Sequence, residues 1–157
     1  VDDLSAVLAA ALGGTLPGLT QAPGRGPALL GHSRGGLVSV VVARRDARIR
    51  RLVTWNGVGD LGARFPAPMR AAWRAEGALE VVNSRTGQVL TIGTTALDDL
   101  EAHLEDYAPV HLAPEITTPW LVVHGTEDRT VPFAEAEAVV RAGRPDRVRL
   151  CPIPGGS

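Results

Sequence analysis

The sequence predicts an α/β fold of about four mainly parallel strands with flanking helices and a small insertion between the second and third strands. Three observations carry this. Short apolar runs, PALLGH, RRLVTW, PWLVVHG and RVRLCPI, alternate with stretches of helical periodicity. The first run closes on a serine set among glycines, GHSRGG, and an apolar stretch of helix length follows at once. Third, residues from about 58 to 112 separate two of the strands, too long a span for an ordinary connection.

Taken in order, Leu4, Val7, Leu8, Ala11 and Leu12 recur at helical spacing and Gly13 and Gly14 stop them, so the chain opens in a helix. A Pro- and Gly-rich loop, LPGLTQAPGRGP, leads into PALLGH as a short buried strand. Arg34 to Arg45 is the next helix, its Val-rich interior predicting burial on more than one face. Arg50 to Trp55 is the second strand. Inside the insertion, PAPMRAAWRAEG predicts a helix, EVVNSRTGQVLTIG a hairpin turning near Arg85 to Gly87, and ALDDLEAHLEDYAPVHL one or two more helices. PWLVVHG from Pro119, a helix from Phe133 to Ala142 and RVRLCPI from Arg147 complete the alternation, with no internal repeat. Residues 1–157 read as a single domain and 58–112 as its cap.

Composition narrows the partners. The 157 residues are 45% hydrophobic, ordinary for a globular core, and 16 Lys and Arg nearly balance 17 Asp and Glu. With the arginines scattered, no field favours nucleic acid. No apolar run approaches the roughly 18 residues of a membrane span, and the acidic, helical N-terminus is no signal peptide, so a soluble, cytoplasmic protein without membrane partners is expected. The lone Cys151 excludes an internal disulfide and is expected to be a small buried strand residue. The acidic run DDLEAHLED reads as a solvated helix face, its carboxylates lacking a compact ligand loop; no metal site and no cofactor are expected. Oligomeric state is not legible.

Gly31-His32-Ser33-Arg34-Gly35 fits G-x-S-x-G at a junction from strand to helix. A serine in so sharp a turn is held in a strained backbone conformation with its hydroxyl exposed, and side chains at positions 31 and 35 are expected to collide, hence the two glycines. Gly36 adds room for the helix to pack closely. The N–H of Arg34, first in the helix, is then placed to stabilise a developing oxyanion. The purely structural alternative is a glycine-rich turn with Ser33 as helix N-cap. Farther on, HGTEDRTVP follows directly on PWLVV, which sets Asp128 past the carboxyl end of a parallel strand, on the rim where Ser33 sits. Its structural alternative is an Asx-turn ahead of the next helix.

LLGHSRGG followed by PWLVVHGTEDRTVP resembles the α/β-hydrolase superfamily, and the insertion with VVNSRTGQ is most similar to its dienelactone-hydrolase and prolyl-oligopeptidase-related esterases. The resemblance runs over nearly the whole chain. It implies a serine hydrolase acting on a carboxylic ester or related acyl bond of a small molecule, with Ser33 as nucleophile, Asp128 as triad acid and no cofactor. In that family the histidine lies in the loop after the last strand, which begins here as CPIPGGS, so it is expected beyond Ser157. Strands and a second oxyanion donor are expected ahead of the opening helix, which makes this chain a fragment of such a hydrolase.

The four histidines present are poor substitutes for that base. His32 is expected to leave the turn toward the oxyanion side or the core, His124 to pack at a strand end, and His103 and His111 to face solvent in the cap. Trp55 and Asn56, ending the second strand, and Phe65, Met69 and Trp73 in the cap are candidates to line a pocket, His32 beside them. Two rival readings stand. One is an inactive fragment or fold relative that keeps the elbow. The other is a dinucleotide-binding oxidoreductase through Gly57-Val58-Gly59-Asp60-Leu61-Gly62, against which Pro66 and Pro68 interrupt the helix such a turn must enter.

Overall fold

The computed structural model describes residues 1–18, 26–83 and 86–157, which leaves part of the expected first loop, and Arg85 of the expected hairpin turn, outside the described residues. The chain runs α1 (Asp2–Leu12), β1 (Ala28–His32), α2 (Arg34–Arg45), β2 (Arg51–Trp55), α3 (Leu61–Arg64), α4 (Ala67–Glu76), β3 (Ala78–Val82), β4 (Val89–Gly93), α5 (Thr94–Ala102), α6 (Pro109–Leu112), β5 (Trp120–Gly125), α7 (Phe133–Ala142) and β6 (Val148–Ile153). The order β1-β2-β5-β6 forms one sheet, parallel throughout, and β3 and β4 pair as a separate antiparallel hairpin. Most elements fall where the periodicity and breakers place them; α3, which overlaps the G-x-G-x-x-G run, carried no such signal. Pro66 precedes α4 and Gly77, at φ 78°, ends it in the left-handed conformation that a side chain disfavours.

Register decides which side chains share a face. Leu52 pairs with Trp120 and Trp120 with Val148, and these three, with Thr54 and Val122, are buried beneath α2, α6 and α7. Val40, Val41 and Val42 of α2 are all at most 1% exposed, so this helix is buried on more than one side, as its composition predicts. The buried Trp120 donates its indole N–H to Thr54 Oγ1, 2.9 Å away, so that both polar groups are satisfied in the core.

The opposite face is different. Leu30, Val53 and Leu121 lie in one register row with Arg149, and His32, Trp55, Val123 and Cys151 in the next. Leu30 is 68% exposed and Trp55 52%, with Leu121 and Ile153 also exposed, so no element among the described residues covers this side. Cys151, expected to be buried, is only half-buried because it belongs to this open face. β1 is the edge of the sheet, its outer side unpaired among the described residues.

Between β2 and β5 the chain builds α3, α4, the hairpin and α5. Trp73 of α4 is buried and donates its indole N–H to the Ile92 carbonyl at 2.9 Å, which fastens α4 to β4. Arg74 bridges Asp98 and Glu101 of α5. The acidic run of α5 is therefore an ion-paired, solvated helix face, and among the described residues no cluster suited to a metal ion occurs. Among them, too, no helix is long and apolar enough to cross a membrane.

Candidate active site

Ser33 lies between β1 and α2 at φ 54° and ψ −125°, a conformation that non-glycine residues occupy only where surrounding structure imposes it. The imposing bonds are visible: its N–H donates to the Trp55 carbonyl at 3.0 Å, and its carbonyl accepts from Gly36 and Val58. Although Ser33 holds the N-cap position, its side chain makes no capping bond. Among the described residues its hydroxyl has no partner, so Ser33 does not serve as a side-chain helix cap. The Arg34 N–H, an orphan of the first helical turn, likewise finds no acceptor in the surrounding turns and caps.

The glycines divide differently from expectation. A Cβ on Gly31 would lie 2.2 Å from the Gly35 carbonyl oxygen and 2.5 Å from Ser39 Oγ, an impossible approach. Gly35 is corrected: a Cβ there meets nothing within 4 Å, because position 35 points away from the turn into open space. The second close approach falls on Gly36, whose Cβ would be 3.0 Å from Gly57 Cα. Gly57 and Gly59 are in turn packed against Thr54 and Glu135, and Asp60 caps α3, a helix of only four residues. The G-x-G-x-x-G run thus serves the packing of a loop onto α2 and α7, and a dinucleotide turn is not formed.

Asp128 sits in the loop after β5, held from three directions. Its Oδ1 accepts from the N–H groups of Thr130 at 2.7 Å and Val131 at 2.9 Å, and its Oδ2 accepts from the Asn56 side chain. Asn56, 4% exposed and at φ 44°, accepts from the Gly125 N–H through its own Oδ1. The sequence offered Asn56 only as a pocket residue; the structure makes it the clamp between the ends of β2 and β5. The Asx-type bonds of Asp128 coexist with a position facing the serine's cleft.

Ser33, His32, Asn56, Asp128, Gly155 and Ser157 line one cleft of about 570 Å³. Two bonds bring the chain's last residues there. Glu127 N–H donates to the Gly156 carbonyl, and Gly155 N–H to Thr126 Oγ1, so the loop after β6 is tied to the acid loop. On the other side of Ser33 opens a second cavity of about 650 Å³ whose wall includes Leu37, Phe65, Trp73, Val81, Ile92 and Leu100. Trp73 therefore shares a cavity with Ser33. Trp55 does not: it lines a separate groove beside Val123 and Ile153.

None of the four histidines is bonded to Ser33 or Asp128. His32 is exposed rather than turned to the core, its ring edge-on to Trp55 with centroids 5.5 Å apart. His124 is fully buried and donates through Nε2 to the Val131 carbonyl at 2.8 Å, bracing the loop whose N–H groups hold Asp128. His103 pairs with Asp99 and His111 with Glu105. Arg64, absent from the sequence-based candidates, joins the site from α3: it donates to the Thr130 carbonyl at 2.9 Å and to Glu135 at 2.6 Å. No local motif marks such a residue, since both of its partners lie more than 60 positions away.

No family model and no curated protein matches the chain. Solved structures do. The chain is similar to the esterase domain of a Rhodothermus marinus protein, with a TM-score of 0.61 and 19% identity over 98% of this chain and 57% of that one. It is similar to a putative hydrolase from Agrobacterium vitis S4, with a TM-score of 0.65 and 18% identity over 82% of this chain and 52% of that one. Alpha/beta hydrolase domain-containing protein 10 from mouse gives a TM-score of 0.64 and 20% identity over 98% of this chain and 57% of that one. At these identities the likeness is one of fold, and the chain spans little more than half the length of each neighbour.

Proposed function

We propose that this chain, which has the α/β-hydrolase fold, belongs to a serine hydrolase that cleaves a carboxylic ester or related acyl bond. The observation that carries the reading is Ser33, held at a positive φ with an uncommitted hydroxyl, in one cleft with Asp128 at the carboxyl ends of parallel strands. Ser33 Oγ attacks the substrate carbonyl while the Arg34 N–H stabilises the oxyanion. A histidine accepts the serine proton and returns it to the departing alcohol; water then attacks the acyl-enzyme by the same route and restores the hydroxyl.

That histidine belongs in the chain following Ser157. Asp128 Oδ2 has accepted one hydrogen bond and keeps a lone pair for an imidazole N–H. Gly155 and Ser157 stand on the wall of the cleft that holds acid and serine, which supports that assignment. Asp128 fixes the tautomer of that ring, and Asn56 and His124 fix Asp128. Residues 58–112 act as the cap, and neither metal nor organic cofactor takes part.

The rival, an inactive fragment or fold relative that keeps the elbow, draws on the same geometry, because none of the four histidines of residues 1–157 is bonded to the serine or the acid. Intact mass after treatment with a fluorophosphonate separates the two. The gene product extended past Ser157 should gain one adduct that Ser33→Ala abolishes, while residues 1–157 alone should gain none. A folded extended protein that stays unlabelled would sink the hydrolase reading.

A further inference from the structure

Resting on the serine-hydrolase reading, we infer that the substrate is an ester of an apolar carboxylic acid, with the acyl chain seated in the 650 Å³ cavity under residues 58–112. Ser33 stands on the border of two spaces of opposite character. One holds Asp128, Glu127, Arg129 and His32; the other is walled mainly by aliphatic and aromatic side chains, with Arg34, Arg64 and Asp99 among them.

The chemistry of the leaving group decides which half of the ester goes where. The imidazole that protonates the departing oxygen is held by Asp128, so the alcohol leaves through the polar cleft. The acyl substituent is then on the far side of Ser33, in the apolar cavity. Several polar groups on that wall are already hydrogen-bonded, Tyr107 to Asp99 at 3.0 Å and Arg64 to Thr130 and Glu135, while Arg34 and the Asp99 carboxylate also bring charge to the lining. Burial, and then the Asp99 carboxylate, push the Tyr107 phenol above its ordinary range, which keeps it protonated in this bond. The wall is also preorganised, since Trp73 is buried and hydrogen-bonded to Ile92.

A space of this size accepts a medium-length or aromatic acyl group, and each methylene moved into it from water favours binding roughly fourfold. An acetyl group leaves the cavity unused.

The test is kcat/KM of the gene product extended past Ser157 on p-nitrophenyl acetate, butyrate, octanoate and benzoate. We expect octanoate to exceed acetate by on the order of tenfold or more. Ala96→Trp, at an exposed position of α5 on the cavity wall, should collapse that ratio, and Val81→Asp should do so by placing charge there. Equal rates along the series, a preference for acetate, or an octanoate preference that survives both variants would overturn the inference. Ser33 labelling by a small fluorophosphonate with no acyl preference overturns this inference alone; absence of labelling overturns the hydrolase reading with it.

Discussion

Asn56 and Asp128, 72 residues apart in sequence, are joined through the Asn56 amide, whose oxygen simultaneously holds the Gly125 N–H. One side chain thus ties the end of β2 to both ends of the turn that carries the acid. Removing it exposes two needs at once. Asn56→Ala should lower the unfolding free energy by about 1–3 kcal/mol, read from the urea midpoint, because the buried Gly125 N–H loses its acceptor. Asn56→Asp keeps that acceptor but sets carboxylate against carboxylate, so its deficit should shrink on acidification. A variant whose deficit is independent of pH would show that the contact with Asp128 contributes nothing.

Gly31 and Gly35 occupy symmetrical places in the motif and should respond in opposite directions. Gly31→Ala drives a Cβ into the Gly35 carbonyl and should cost about 1–3 kcal/mol or prevent folding. Gly35→Ala meets open space in the first turn of α2 and should raise stability by about 0.5–1 kcal/mol. Thermal melts of the two variants settle it; similar losses in both would mean that the turn tolerates neither.

Arg64 connects the beginning of the inserted segment to the loop of Asp128. Arg64→Met should remove its bonds to the Thr130 carbonyl and Glu135, leaving Glu135 with only the Gly59 N–H, at a cost of about 1–2 kcal/mol. Glu135→Gln, which can still accept from Gly59, should cost less. Equal losses in the denaturant midpoints would place the energy in the charge of the Arg64–Glu135 pair, which both variants lose, and none in the Thr130 bond.

Tyr107 supplies a pH dependence with a defined sign. Its phenol is raised in the folded protein, first by burial and then by the hydrogen bond to Asp99, above the ordinary value of 10.0. The unfolded chain therefore ionises first as pH rises. The stabilisation is complete below pH 10.0 and is lost through and above it. Melting curves across that range should fall for the native sequence, and Tyr107→Phe should flatten that part of the slope. An unchanged slope would assign it to other groups.

Much of this was legible from residue order. Strand and helix boundaries followed from apolar runs cut by Gly and Pro, and the turn at Ser33 from glycines flanking a serine where a strand meets a helix. Asp128 was legible because a carboxylate just past a buried strand must lie on the rim of a parallel sheet. What escaped depends on contacts between distant segments. The runs LLG, LVTW and LVV are apolar at consecutive positions, so alternation could not tell that one sheet face is covered and the other open. For the same reason Cys151 was assigned to the interior, whereas the bonds of Asn56 to Asp128 and Gly125, and the close approach that falls on Gly36 rather than Gly35, depend on residues far along the chain.

The open face of the sheet bears on how any measurement of residues 1–157 should be interpreted. Leu30, Trp55, Leu121 and Ile153 present a contiguous oily surface beside the unpaired edge of β1, and water is a poor neighbour for both. Any apolar surface that meets this face is bound with a free-energy gain that grows with its concentration. The apparent melting temperature of the 157 residues in isolation is therefore expected to climb with protein concentration, as for a mass-action equilibrium and unlike that of a self-contained monomer.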